Sequence, residues 1–190
     1  MPESVYENGV GERDAAVIVA LGANLASRIG SPAATFRWTL EQLGVAGVKI
    51  VAVSRVWRSA AWPDPAAPAF SNAVAIVETP LSPEDLLALL HRLEEEAGRV
   101  RCKANDPRPL DLDLIAFGRS VQVGSPVLPH PRAHERLFVM GPLAQVAPAW
   151  RHPVLGQTAK ALAGTASVGL DARIDPEIGG DVLCALHNDA

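Results

Sequence analysis

Two acidic residues, Asp111 and Asp113, stand in an apolar stretch with leucine at 110, 112 and 114. In a strand, residues i and i+2 point to the same face, so the two carboxylates share one face while the leucines enter the core. Two solvated acids are the simplest interpretation, but aspartate is a poor strand former and like charges on one face repel. A divalent cation removes this repulsion, and Mg²⁺ is commonly held by one or two carboxylates together with substrate phosphates. The pair therefore predicts a magnesium site.

Basic side chains surround this pair of acids along the chain. Clustered arginines after a helix commonly do no more than offset the helix dipole or face solvent. Here they flank the predicted metal strand on both sides, and the guanidinium fork matches the oxygen geometry of phosphates. Because the sequence has no glycine-rich phosphate-binding loop, side chains and metal would have to hold a triphosphate. The basic residues are Arg99, Arg101, Arg108, His130, Arg132, His134 and Arg136.

Two phenylalanines mark a place where a flat ligand could stack beside the predicted triphosphate. Phe70 begins a predicted strand, and Phe138 follows the basic loop. Taken alone, such residues are usually core or loop anchors, which is also the interpretation for Trp57 and Trp62. Zinc is not predicted, because His130 and His134 come without thiolates or a third ligand.

The composition limits the classes of protein to which this chain can belong. Of its 190 residues, 48% are hydrophobic and 20% are charged, which is typical of a soluble globular domain. The net charge of −4 argues against a nucleic-acid binder, which normally carries a basic surplus. Cys102 and Cys184 cannot build a disulfide framework, and the apolar run at 15–22 is too short to cross a bilayer. No secretory signal is visible, so we expect a cytoplasmic protein without a membrane partner.

Apolar periodicity and turn signals predict the elements that position these residues. Strands are expected over 15–21, 48–57, 70–78 and 110–117. Ser31 and Ser82 are predicted helix N-caps, each followed by proline at the first helical position. The order β-α-β-β-α-β predicts an α+β, ferredoxin-like sandwich with an antiparallel sheet and helices packed on it.

The ends of the chain show less pattern than its centre. Two further helices are expected over 138–147 and 157–163. We assign residues 1–13 to a flexible leader, 14–166 to the domain and 167–190 to a loosely attached tail, because both end segments show weak periodicity.

Several separated motifs stand along the chain in a fixed order. They are ALGANL at 20–25, FSNA at 70–73, Glu94 through GRVR at 98–101, PRPLDLDL at 107–114, and LPHPR at 128–132 through RLF at 136–138. Together these motifs resemble one protein family, the 6-hydroxymethyl-7,8-dihydropterin pyrophosphokinases of folate synthesis. The likeness runs from about Ala16 to Leu162, and motifs in the right order are more specific than any single one. The resemblance implies a ferredoxin-like enzyme that transfers pyrophosphate from MgATP to the pterin hydroxymethyl group and releases AMP. We expect it to be a monomer.

The resemblance also implies roles for individual residues. Asp111 and Asp113 would bridge two Mg²⁺ ions, and Arg99 and Arg108 would be the catalytic arginines that meet the phosphates. Further ATP contacts would come from Glu94, Arg101, His130 and Arg136. The pterin contacts would be a sandwich of two rings, a side-chain amide at the pterin edge and backbone groups, supplied by Phe70, Phe138, Asn72, Ser59, Ala60 and Trp62.

The sequence departs from the family pattern in the loops. Asn105 and Asp106 stand where a Trp-Gly pair is frequent, Ala60-Ala61 replaces a common Pro-Pro, and Pro109 replaces a threonine. These differences bear on loop closure more than on the reaction.

Two other classes of function share some of these features. A metal-dependent nucleotidyl transferase can also use an Asp-x-Asp strand, but it attacks the α-phosphorus and releases pyrophosphate rather than AMP. A non-catalytic ferredoxin-like regulatory domain would bind a small ligand, yet it has no need for strand acids beside arginines. Analysis of the products of ATP separates the two enzymes.

Overall fold

The chain folds around one antiparallel sheet, and the computed structural model describes residues 16–61, 66–99 and 107–178. The strands are β1 (Val17–Ala23), β2 (Lys49–Val53), β3 (Trp57–Ser59), β4 (Phe70–Glu78), β5 (Asp111–Phe117) and β6 (Arg173–Ile174). The helices are α1 (Pro32–Val45), α2 (Pro83–Glu96), α3 (Leu137–Val146) and α4 (Ala159–Thr165), with one 3₁₀ turn at Ala133–Glu135. The predicted α+β class with an antiparallel sheet is confirmed.

Helices α1 and α2 begin where the capping signals predict. The Ser31 hydroxyl accepts a hydrogen bond from the Ala34 amide at 3.4 Å, and the Ser82 hydroxyl accepts one from the Asp85 amide at 3.1 Å. These bonds satisfy amide groups that the first helical turn leaves unpaired. Both helices have 14 residues, and within the described ranges no helix combines the length and apolarity needed to cross a membrane.

Strand β1 lies between β4 and β5 and is buried on both faces. Val19 and Leu21 face the cluster that includes the apolar stripes of α1 and α2. Ile18 and Ala20 face a second cluster built with α3 and α4. Helices α1 and α2 therefore lie on one face of the sheet, as the element order predicts, and α3 and α4 cover the other face, which the element order does not predict.

The single strand predicted over 48–57 is interrupted in the structure. Residues 54–56 separate β2 from β3, and the two strands pair with opposite halves of β4. At the interruption, the Ser54 hydroxyl accepts the hydrogen bond of the Val74 amide at 2.9 Å, in place of a backbone carbonyl. A side chain that takes over one ladder bond lets the edge bend without leaving a buried amide unpaired.

The described part of the predicted tail is attached to the sheet. Strand β6 pairs with β3, the Asp175 amide donates to the Val56 carbonyl at 2.9 Å, and Ala172 is buried. The expectation of a loose tail is therefore wrong for residues 167–178. It failed because only two residues form the strand, which is too short to leave a periodic pattern in the sequence. Residues 179–190 and the leader at 1–13 lie outside the described ranges.

Candidate active site

A single register across the sheet brings the candidate residues side by side. Gly22 of β1 is paired with Asp111 of β5 on one side and with Asn72 of β4 on the other, and Asn72 is in turn paired with Trp57 of β3. Two residues earlier on β1, Ala20 is paired with Asp113. Because β1 contributes only alanine and glycine here, it leaves space above the sheet on the α3 side.

This space is a cavity of about 290 Å³. Its lining combines most of the charged, aromatic and amide side chains that the sequence singles out. Lining residues from that set are Ser59, Ala60, Phe70, Asn72, Arg99, Arg108, Asp111, Asp113, His130, Arg136 and Phe138.

Asp111 is the centre of a charge network at one end of the cavity. Its Oδ1 accepts from Arg99 Nη1 at 2.6 Å and lies 3.1 Å from Arg108 Nη1. The Arg99 and Arg108 side chains are only 17% and 18% exposed, so solvent screens these pairs less than it screens surface pairs. Asp111 thereby holds both predicted catalytic arginines beside the strand acids.

Glu94, at the end of α2, supports this network from behind. Its Oε1 accepts from the Leu112 amide at 2.8 Å and from Arg99 Nη1. The residue is 1% exposed, and a carboxylate so deeply buried needs partners of this kind. It is not among the residues that line the cavity. In the structure Glu94 therefore joins Arg99 to the backbone of β5, and its expected contact with ATP stays a prediction.

Asp113 is held less tightly than Asp111. Its Oδ2 is 3.9 Å from Arg136 Nη1. Burial raises the pKa of Asp113, the charge of Asp111 raises it further, and the nearby His130 and Arg136 partly oppose this shift. The ionised pair is therefore under electrostatic stress, which a bound cation would relieve.

His130 and Arg136 join the charged end of the cavity to its aromatic end. The His130 Nδ1 accepts the Arg132 amide at 3.2 Å, so in the neutral ring the proton lies on Nε2. Burial lowers the pKa of His130, although the charge of Asp113 opposes this effect. The Arg136 guanidinium carbon lies 5.7 Å from the centre of the Phe138 ring, at a distance that permits a cation–π interaction.

The aromatic end carries an amide with a fixed orientation. The Asn72 Nδ2 lies 3.1 Å from Ser59 Oγ and 3.4 Å from the Trp57 carbonyl, and the residue is only 6% exposed. With its nitrogen held in this way, the amide oxygen is the atom left to accept from a ligand. Phe70, two residues earlier on the same strand face, and Phe138 complete this end.

Residues 18–148 match the family model described as 7,8-dihydro-6-hydroxymethylpterin-pyrophosphokinase (HPPK). The chain belongs to this family. As an HPPK, it is a pyrophosphokinase that acts on hydroxymethyldihydropterin in folate synthesis, with ATP as co-substrate.

Similar proteins support the HPPK assignment. The 2-amino-4-hydroxy-6-hydroxymethyldihydropteridine pyrophosphokinase of Synechocystis is 36% identical over 143 residues, which are 74% of this chain and 71% of that protein. Its namesake from Pseudomonas aeruginosa is 39% identical over 143 residues, 72% of this chain and 83% of that protein. A folic acid synthesis protein of Pneumocystis carinii is 38% identical over 142 residues, 74% of this chain, but the chain spans only 19% of that longer protein.

A solved structure shows the fold. The Plasmodium falciparum HPPK-DHPS triple mutant matches with a TM-score of 0.58 at 11% identity, covering 78% of this chain and 42% of that one. In the present chain, the order β5-β1-β4-β2 and the alternation with α1 and α2 fit the predicted ferredoxin-like HPPK domain.

The structure adds one residue whose role the sequence analysis did not assign. The Asn24 Oδ1 accepts the Arg108 amide at 2.7 Å, its Nδ2 donates to the Pro68 carbonyl at 3.1 Å, and its own amide donates to the Arg108 carbonyl at 3.1 Å. A 7% exposed amide thus ties together the segments before Phe70 and around Arg108. The available signal was its place in the ALGANL motif directly after β1. Trp62, Arg101 and the Asn105-Asp106 departure lie outside the described ranges.

Proposed function

We propose that this HPPK binds MgATP at the charged end of the cavity and the pterin at the aromatic end. The hydroxymethyl oxygen would attack the β-phosphorus in line, forming the new oxygen–phosphorus bond as the bond to AMP breaks. The observation that carries this proposal is the shared register of Asp111, Gly22 and Asn72, which sets the two ends side by side on one sheet face.

The residues present fit Mg²⁺. Asp111 and Asp113 lie on one strand face and supply oxygen ligands. Burial, and after it the like charge of Asp111, raises the pKa of Asp113, so a cation would stabilise the ionised pair. In the described ranges no group of three or more histidine, cysteine, aspartate or glutamate side chains is arranged to hold a metal, so a pair of carboxylates together with phosphates and water is the donor set to expect. We propose two ions; bound Mg²⁺ would neutralise phosphate charge.

The protein's own contribution would be positioning and charge neutralisation. Arg99 and Arg108 are held beside Asp111, where they would meet the phosphate oxygens and the charge that develops on departing AMP. His130 and Arg136 would contact ATP, together with Arg101. Phosphoryl chemistry of this type needs little covalent assistance, since alignment of the two substrates supplies much of the rate.

The pterin contacts follow from the aromatic end. A neutral planar ring with donors and acceptors along its edge suits stacking between Phe70 and Phe138, with the Asn72 oxygen accepting from that edge. The backbone of Ser59, Ala60 and Trp62 would complete the contacts. The Ala60 amide already donates to Asp171, so its carbonyl is the group available to the ligand.

The test is chromatography of ATP incubated with the protein, Mg²⁺ and 6-hydroxymethyl-7,8-dihydropterin. We expect AMP to form in a one-to-one ratio with the pterin diphosphate, and only when Mg²⁺ and the pterin are both present. Release of pyrophosphate with transfer of AMP would instead indicate the nucleotidyl transferase and overturn the proposal.

We further propose that this HPPK acts as a monomer in the cytoplasm, without nucleic-acid or membrane partners. The net charge of −4 supports the exclusion of nucleic acid, because phosphate-backbone binders gain affinity from a basic surplus. Light scattering coupled to gel filtration tests the oligomeric state.

A further inference from the structure

The segment that follows α4 returns to the aromatic end of the cavity, although it lies beyond residue 148, where the family match ends. The Ser167 and Val168 amides both donate to the Glu135 carbonyl at 2.9 Å, and the Val168 carbonyl accepts from the Leu137 amide at 2.9 Å. These bonds fix the segment against the start of α3, immediately before Phe138.

Gly169 lies directly against the Phe138 ring. Its φ of +69° is in the left-handed region, and a Cβ at this position would be 2.4 Å from Phe138 Cδ1. Both the conformation and the space therefore require glycine. Any side chain at residue 169 would displace either the ring or the segment.

Asp171, two residues later, bonds to the backbone of Ala60, which also lines the cavity. Its Oδ2 accepts the hydrogen bond of the Ala60 amide at 2.5 Å. The pairing of Trp57 with Ile174 and of Arg58 with Arg173 then aligns β6 with the strand that leads to Ala60. A carboxylate acceptor makes a stronger bond to an amide than a neutral acceptor does, so it fixes the orientation of that peptide.

We propose that residues 167–171 are a positioning segment for the pterin. Gly169 determines where the Phe138 ring stands, and Asp171 determines how the Ala60 backbone faces the cavity. This inference rests on the proposed assignment of Phe138 and Ala60 to the pterin. Both residues act through others that are assigned to the pterin, so their effect should be larger on the pterin than on ATP.

The first test substitutes Gly169→Ala and measures two affinities by calorimetry. The ligands are 6-hydroxymethylpterin, an unreactive oxidised analogue, and α,β-methylene-ATP with Mg²⁺. We expect the Kd of the pterin to rise at least roughly tenfold, a loss of about 1.4 kcal/mol, and the Kd of the nucleotide to stay within about twofold. In turnover, the KM for the pterin should rise more than kcat falls.

Gly156→Ala is the matched control. Gly156 has nearly the same left-handed φ, +67°, but a Cβ there would meet no atom within 4 Å. It therefore carries the backbone strain without the ring contact. Equal pterin affinities for the two variants would show that Gly169 has only a structural role, and would overturn the proposal for that residue.

Two Asp171 variants keep the proposal testable even if Gly169→Ala does not fold. Asp171→Ala removes the acceptor for the Ala60 amide and should weaken the pterin several-fold. Asp171→Asn retains an acceptor oxygen and should restore most of that affinity. A pterin Kd that Asp171→Ala leaves unchanged would contradict the role of Asp171.

A double-mutant cycle with Phe138→Ala separates this inference from the proposed pterin site. If the ring transmits the effect, Gly169→Ala should cost no further pterin affinity in the Phe138→Ala background. If Phe138→Ala alone leaves the pterin Kd unchanged, the proposed pterin site itself is wrong. If Phe138→Ala weakens the pterin but Gly169→Ala does not, only the positioning role fails.

Discussion

At the residue scale, the two strand acids differ in what surrounds them. Asp111 is paired with Arg99 and Arg108, whereas Asp113 Oδ2 lies 3.9 Å from Arg136 Nη1. Burial and the charge of Asp111 raise the pKa of Asp113. Replacing aspartate with asparagine should therefore have opposite effects on the free energy of unfolding at the two positions. Either replacement should abolish the proposed metal site.

We predict that Asp113→Asn leaves the melting temperature unchanged or higher at pH 7, while Asp111→Asn lowers it. The first change removes a charge that folding disfavours, and the second leaves two partly buried arginines without a shared partner. Both variants should lose Mg²⁺-dependent AMP formation by several orders of magnitude, since metal-assisted neutralisation contributes several kcal/mol to the transition state. Calorimetry measures the melting temperatures, and chromatography of the AMP formed measures the turnover. Near-normal turnover of Asp113→Asn at matched Mg²⁺ would refute the metal site.

A second prediction at this scale concerns Glu94, which bonds the Leu112 amide and Arg99. Glu94→Gln keeps an acceptor for the amide but loses the charge that orients the guanidinium. We expect kcat to fall about tenfold or more, with a smaller change in the KM for ATP. Glu95→Gln, one residue along on the exposed side of α2, is the control and should be neutral. A large rise in the KM for ATP with kcat intact would instead support the expected direct contact of Glu94 with ATP.

At the element scale, α3 packs closely enough on β3 that one glycine is required between them. A Cβ at Gly141 would lie 2.6 Å from Trp57 Cζ3 and 2.7 Å from its Cη2. Trp57 also donates from Nε1 to the Gln145 side chain, one turn further along α3, at 3.4 Å. This contact joins α3 to β3, the strand that precedes Ala60.

We predict that Gly141→Ala destabilises the protein, against the ordinary preference of helices for alanine. Displacing Trp57 should cost about 1–3 kcal/mol, the usual range for overpacking. Gly44→Ala in α1 is the matched control, because a Cβ there meets nothing within 4 Å and should stabilise by about 0.5–1 kcal/mol. Urea unfolding of both variants measures the difference. Equal stabilisation by the two alanines would show that Trp57 can move away from the added Cβ without loss of stability.

The elements that the sequence predicted are those with strong local signals. Ser31 and Ser82 begin α1 and α2 as expected, and β4 has the predicted bounds, 70–78. Placement of α3 on the second face depends on which face of β1 its apolar side chains meet, and no local pattern encodes that choice. Likewise the motifs named the residues of the cavity, but the pairing of Asp171 with Ala60 joins residues 111 positions apart, which only the folded chain reveals.

At the scale of the whole molecule, the stability of the fold depends on pH through two kinds of group, whose effects on the free energy of unfolding have opposite signs. Burial lowers the pKa of His130 and His152, so the unfolded chain binds protons more readily and stability falls as the pH drops below about 6.5. The raised pKa of Asp113 acts the other way, because the folded chain keeps that proton longer and stability is lost as the pH rises above the ordinary carboxyl value. Acidification from neutrality should thus weaken the protein first through its histidines.

His152 allows this balance to be tested away from the active site. It is 5% exposed, its Nδ1 accepts from the Val154 and Leu155 amides at 3.2 Å, and its ring meets His134 edge-on at 5.7 Å. Protonation of Nδ1 would break both amide bonds and place a charge beside His134. Burial lowers the pKa of His152, and His134 lowers it further by a smaller amount.

We predict that His152→Asn flattens the loss of stability between pH 7 and pH 5. The asparagine oxygen can accept the same two amides but does not titrate in this range. The change in the free energy of unfolding with pH should become smaller by up to about 1.4 kcal/mol per pH unit, which is the limit for one proton. His130 should account for part of the pH dependence that remains. Urea unfolding of both proteins at pH 8, 7, 6 and 5 measures this dependence. At pH 8 the wild-type ring is neutral, so the difference in unfolding free energy between the two proteins there reports the effect of the substitution on packing. If the two proteins lose stability in parallel on acidification, His152 does not contribute to the acid sensitivity, and the buried ring serves packing alone.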